Sequence, residues 1–131
     1  WMIAIQDTGL QRDIVIIENI YYELGKFEVT ADAVPILDKA TDVLMKNKNI
    51  RLEIYSHTDS QGSDEFNLSL SEKRVDSVLK YLLGKGVEKS RLSGKGMGET
   101  LLANHCGNGA ECTDEEHKVN RRTVFKIVHT N

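Results

Sequence analysis

Arg51-Leu52-Glu53-Ile54-Tyr55-Ser56-His57-Thr58-Asp59-Ser60-Gln61-Gly62 is the stretch from which the rest of the chain can be read. Its first half alternates, with Leu52 and Ile54 on one face of an extended chain and Glu53 and Tyr55 on the other, the period of a half-buried β-strand. From Thr58 to Asp64 the chain turns polar, and loops at strand ends in α/β folds commonly build binding sites. A helix follows from about Glu65 to Leu83. Val75, Val78, Leu79 and Leu82 form its apolar stripe, and Gly84 and Gly86 end it.

Working outward, Asp13 to Tyr22 is rich in Ile, Val and Tyr and reads as a strand bent at Glu18-Asn19. Thr30 or Asp32 can cap a helix that runs to about Asn47, with the stripe Val34, Leu37, Thr41 and Leu44. Pro35 is tolerable there because it falls near the first turn. Arg91 to Glu99 reads as a short strand breaking into a glycine-rich turn from Gly94 to Gly98. A long loop then leads to a last strand, Arg122 to His129. The order strand, helix, strand, helix, strand, loop, strand predicts an α/β (α+β) fold, with two main helices packed on a mixed sheet. No repeat or linker divides the chain, so one domain is expected over residues 1–131, its core about 19–128.

The bulk numbers exclude several functions. With 131 residues, 40% hydrophobic and 28% charged, the chain is an ordinary globular size and composition. Net charge is −3 and the basic residues are scattered, which argues against nucleic acid and anionic lipid as partners. The longest aliphatic run, Ile14 to Ile17, is far too short to span a bilayer. No secretory signal is visible, and the opening Trp1-Met2 reads as that of a mature or excised piece whose targeting segment lies upstream.

Cys106 and Cys112 lie in a loop relaxed by Gly107 and Gly109, where their sulfurs can meet. A disulfide there would imply an oxidising compartment. The alternatives are two free thiols, or a metal site with His105 and His117. The five-residue gap is wider than zinc ligand pairs favour, and adjacent His105 and Cys106 would struggle to hold one ion. No metal or cofactor is expected.

The polar cluster has two distant companions. Asn67 and Arg74 are seven apart on the second helix and so share a face within about 20°. That face borders the apolar stripe, which places Arg74 half desolvated at the core's edge and leaning toward Asp59. Asn120-Arg121-Arg122 brings further guanidinium near the last strand. Taken alone, Asp59 with Arg74 is an ordinary salt bridge. A hydrolase built on His57 with Ser56 or Ser60 lacks a nucleophile elbow and a third orienting group, so no enzyme is expected. The turns from Gly94 to Gly98 lack the ending of a phosphate loop.

His57-Thr58-Asp59-Ser60-Gln61-Gly62, Asn67, Leu70-Ser71, Arg74, Val78, Gly86, Arg91-Leu92, Gly94-x-Gly96-x-Gly98-Glu99 and Asn120-Arg121-Arg122 fall in one order across roughly Asn19 to Val128. In that order they resemble the peptidoglycan-binding domain shared by outer membrane protein A, the Pal lipoprotein and MotB. Ser56, Phe66, Val75, Met97 and Leu101 depart from common residues of that family, and none of these changes removes a charged group. The resemblance implies a ligand, the diaminopimelate of the stem peptide. It implies that Asp59 and Arg74 hold it, that Asn67 and Arg121 assist, and that Thr58 and Leu70 shape the pocket. It implies a Cys106–Cys112 disulfide and a periplasmic home. It also implies tethering of a Gram-negative outer membrane to the wall, through an anchor or barrel outside this chain. The rival reading is a protein-interaction module that kept the fold and lost the ligand.

Overall fold

The computed structural model describes residues 17–129. Its elements are β1 (Ile20–Tyr21), α1 (Ala33–Lys46), β2 (Ile50–His57), α2 (Asp64–Gly84), a 3-10 turn (Lys89–Arg91), β3 (Leu92–Gly96), α3 (Asp114–Lys118) and β4 (Arg122–His129). The four strands form one mixed sheet in the order β1-β4-β2-β3. β2 and β3 are parallel, joined through α2 as a parallel pair requires, while β4 runs antiparallel to both β1 and β2. The α+β architecture and the mixed sheet expected from the sequence are therefore present.

The alternation in β2 decides which face is covered. Leu52 and Ile54 are fully buried and meet Leu37, Ala40 and Leu44 of α1 and Val75, Val78 and Leu82 of α2 in one apolar cluster. On the other face Glu53 and Tyr55 stay partly exposed, and the Tyr55 hydroxyl donates to Glu53 at 2.7 Å. The α1 stripe differs from expectation in detail. Ala33 and Ala40 share its buried line, whereas Val34 and Thr41 are half-buried, and Thr41 donates its hydroxyl to the Leu37 carbonyl. Thr30 Oγ1 accepts from Ala33 N–H at 3.3 Å, so Thr30 and not Asp32 supplies the side-chain cap.

α2 starts where Ser63 accepts from Phe66 N–H at 3.1 Å. It ends in a Schellman motif: Val87 N–H reaches the Leu82 carbonyl and Gly86 N–H the Leu83 carbonyl, with Gly86 at φ +95°.

Three expectations change. Strand structure at the N-terminal side is confined to Ile20–Tyr21 among the described residues, and Asp13 to Ile16 lie outside them. Gly94 and Gly96 belong to β3, not to a turn, because α2 packs hard against that strand. A Cβ on Gly94 would collide with Val75, and one on Gly96 would sit 2.6 Å from the Glu72 backbone nitrogen. The turn is confined to the residues after Gly96, where Gly98 takes φ +56°. The long loop also contains α3, announced by the capping box between Thr113 and Glu116.

Candidate ligand-binding site

The sheet register assembles the polar end of the molecule. β2 and β4 pair His57 with Arg122, and β1 and β4 pair Tyr21 with Arg122. The residues just beyond these ends, Asp59, Arg121 and Tyr22, therefore converge. Arg121 Nε donates to the Tyr22 carbonyl at 2.8 Å, and its Nη1 donates to Asp59 Oδ2 at 3.0 Å. Its Nη2 reaches Asp114 Oδ1 at 3.3 Å. Arg121 is 1% exposed and Asp59 2%, while the Asp114 side chain is 69% exposed.

Arg74 enters from α2 and is 0% exposed. Its Nη1 donates to the His57 carbonyl at 2.9 Å and its Nε to the Lys26 carbonyl at 2.7 Å. Nη2 reaches the Glu23 carbonyl only at 3.5 Å, the outer limit of a hydrogen bond. The guanidinium lies 4.4 Å from the centre of the Tyr22 ring, a cation–π distance. Burial lowers its pKa to about 10; the Tyr22 and Asp59 fields oppose that shift and the Arg121 charge adds to it. Burial likewise raises the Tyr22 hydroxyl pKa, and that hydroxyl shares a 2.8 Å hydrogen bond with Thr123.

The expected half-exposed Arg74 paired to Asp59 is thus corrected. Arg74 is wholly enclosed because the turn after β1 lies across it, and the carboxylate partner is Arg121. The other predicted residues gather at the same place. Thr58 Oγ1 donates to the Asp59 carbonyl at 2.9 Å. Asn67 Nδ2 donates to that carbonyl at 3.3 Å and to Glu99 Oε1 at 3.2 Å. Leu70 is buried in the same turn of α2. Burial, then a hydrogen bond to Asp64, raises the Glu99 pKa.

Three participants were not anticipated. Gln61 covers Asp59, donating its backbone N–H to Oδ1 at 3.0 Å and its side-chain amide to Oδ2 at 2.9 Å. Glu99 holds Asn67, and Asp114 braces Arg121. The Thr113-x-x-Glu116 spacing was the available signal for a helix that brings Asp114 into place. Nothing in the spacing pointed to Gln61.

His57, at the end of β2, reads from the sequence as a residue that holds the loop by hydrogen bonds. Its backbone carbonyl accepts from Arg74 of α2, while its ring Nδ1 is buried without a partner. Burial, and secondarily Arg122, lowers the ring's pKa to about 4. Ser56 Oγ shares a hydrogen bond with Thr123 at 2.7 Å, and Ser60 Oγ donates to the Cys106 carbonyl at 2.6 Å.

Cys106 and Cys112 are disulfide-bonded, with Cα atoms 6.1 Å apart. His105 and Glu116 flank the bond, and the four side chains offer ligand atoms within 4.8 Å of one another. Both sulfurs are held in the disulfide. His105 Nε2 approaches Cys112 Sγ to 3.7 Å. Among the described residues no helix is long and apolar enough to cross a membrane.

The model of the OmpA family matches residues 21–115. The chain belongs to the OmpA family. The match covers Asp59, Asn67 and Arg74 and stops short of Arg121. Outer membrane protein A of Serratia marcescens is 33% identical over 114 residues, covering 84% of this chain and 29% of that protein. A stretch of the photosystem I P700 chlorophyll a apoprotein A2 of Gloeobacter violaceus is 39% identical over 112 residues, covering 84% of this chain and 13% of that protein. This OmpA-family domain therefore spans less than a third of each of those two relatives. The crystal structure of the peptidoglycan-associated lipoprotein from Burkholderia pseudomallei shares its fold, with TM-score 0.76 at 20% identity over 84% of this chain and 89% of that one.

Proposed function

We propose that this domain binds peptidoglycan without modifying it, gripping the free end of diaminopimelate in the stem peptide. One observation carries the reading: a single buried carboxylate, Asp59, stands among two buried guanidiniums, Arg74 and Arg121. Asp59 and the exposed Asp114 both pair with Arg121, so Arg74 has no carboxylate of its own and is met by carbonyl dipoles and a ring. A zwitterion fits that arrangement. Its ammonium adds to Asp59 and its carboxylate faces Arg74, through charge-assisted hydrogen bonds. The relatives' names, outer membrane protein A and peptidoglycan-associated lipoprotein, support the same reading.

Entry to Arg74 requires the Glu23–Lys26 turn to yield. The long Nη2 bond to Glu23 is the one exchanged first, and Gly25, at φ +72°, lies inside the turn. Amidation of the ligand's carboxyl removes the charge meant for Arg74 and weakens binding. In the cell, the domain would hold an outer membrane to the wall from the periplasmic side, weak single contacts adding up by avidity.

Catalysis by His57 gains no support from its surroundings, because each candidate serine is bonded elsewhere and the imidazole is barely basic. The alternative, an interaction module without this ligand, has one observation in its favour: Asp59 already has donors on both oxygens. Calorimetric titration with meso-diaminopimelate and with a muropeptide carrying it separates the two. Saturable binding lost in folded Asp59→Ala and Arg74→Ala variants is expected. No binding by the wild type refutes the proposal and leaves the interaction module.

A further inference from the structure

We infer that Gln61 is a latch on Asp59, a neutral ligand supplied by the chain itself that the ammonium of an incoming zwitterion displaces. The inference deepens the proposed function and rests on it. Three donors converge on this carboxylate: the Gln61 backbone N–H on Oδ1, and the Gln61 side-chain amide and Arg121 Nη1 together on Oδ2. A carboxylate offers about four lone-pair positions, so little acceptor capacity is left. Arg121 and Asp59 are both fully buried, whereas Gln61 is exposed. A ligand arriving from solvent therefore meets the Gln61 amide first.

The two Gln61 contacts have different fates. The backbone bond to Oδ1 fixes the loop and can persist. The side-chain bond to Oδ2 is released by a rotamer change, with no unfolding of the loop. An ammonium gains from the exchange because it brings a full opposite charge to the carboxylate, where the amide brings only a dipole. A neutral donor offers no such gain, so the latch favours cationic ligands. With the latch closed for most of the time, the apparent affinity is reduced by the open fraction.

Substitution of Gln61 by Ala removes the latch and keeps the backbone bond. It should tighten binding of meso-diaminopimelate about 10-fold, the lower end of what one hydrogen bond to a charged group supports, by raising the association rate while dissociation hardly changes. Stopped-flow or surface kinetics on wild type, Gln61→Ala and Asp59→Ala read this directly. In the wild type, the Gln61 side-chain amide resonances should shift along the same saturation curve. A folded Gln61→Ala variant that binds no tighter, alongside an Asp59→Ala variant that does not bind, overturns the latch alone. If the variant does not fold, amide resonances unmoved at saturation overturn it equally. A wild type that binds no diaminopimelate removes both the latch and the reading beneath it.

Discussion

Arg74 and Arg121 are both fully buried at the same end of one sheet, yet the protein compensates their charges in opposite ways. Arg121 is paired with carboxylates, Asp59 within and Asp114 at the surface. Arg74 receives three backbone carbonyls and the Tyr22 ring. The difference separates structure from readiness to bind. A guanidinium neutralised by carboxylates is a strut, whereas one solvated by dipoles alone keeps an unspent field for an anion.

The contrast is broken or kept most plainly by removing each arginine. Arg121→Met strands the Asp59 carboxylate in a dry site, a loss of about 3–5 kcal/mol. Arg74→Met strands no charge. It leaves carbonyls without donors, two of them in an exposed turn that water can reach, and costs less, about 2 kcal/mol. Adding Asp59→Asn should restore much of the loss in the Arg121 variant and nothing in the Arg74 variant. Urea unfolding of the two double-mutant cycles measures both couplings. Equal recovery in both cycles would erase the distinction.

His57 tests the Arg74 side, because its carbonyl holds Nη1 while its ring is kept neutral. The fold depresses the ring's pKa from 6.5 to about 4, so neutral His57 favours the native state. That contribution is fully present above about pH 6.5, shrinks as pH falls, and is exhausted near pH 4. It amounts to about 3 kcal/mol for a shift of this size. Wild-type stability should decline over that window, and His57→Phe should flatten the part of the decline that belongs to the ring. A His57→Phe profile that declines as steeply as wild type would sink the assignment.

The Arg121 side leans on the disulfide. The Cys106 carbonyl accepts from Ser60, next to Asp59, and α3 begins two residues after Cys112 and carries Asp114. Opening so small a ring should cost about 2 kcal/mol in the chain-entropy model. Cys106→Ser/Cys112→Ser, followed by thermal unfolding and by hydrogen exchange at residues 113–118, should show a lower Tm and faster exchange in α3. Unchanged exchange there would mean that α3 stands without its brace.

The fold was legible where one periodicity was strong. β2 was bounded to within a residue because alternation and burial agree there, and β4 has the span expected for it. α2 was bounded to within a residue because Gly84 and Gly86 follow its apolar stripe. Gly94 and Gly96 misled for a physical reason. Glycine reads as a turn residue, but here its missing Cβ admits a helix against a strand, a tertiary demand that no local pattern contains. The site residues gathered as expected, while their pairing did not. Which carboxylate a buried arginine meets depends on sheet register, and Arg121 reaches Asp59 only because β4 lies between β1 and β2. The enclosure of Arg74 by the Glu23–Lys26 turn is equally a matter of distant chain.

Asp114 should give the smallest effect and the sharpest limit on the comparison. Its side chain is 69% exposed and its contact with Arg121 Nη2 is 3.3 Å long, so solvent screens most of the attraction. An exposed pair of this kind contributes at most about 1 kcal/mol, and Asp114→Asn should lower stability by no more than that in low salt and by less at high salt. Its effect on binding should run the other way. Loss of one of Arg121's two carboxylates leaves more positive field at the ligand's end, so diaminopimelate affinity should hold or rise slightly by calorimetry. A fall in affinity would make Asp114 a ligand contact, and Arg121 would then join Arg74 as part of the grip and no longer serve as a strut.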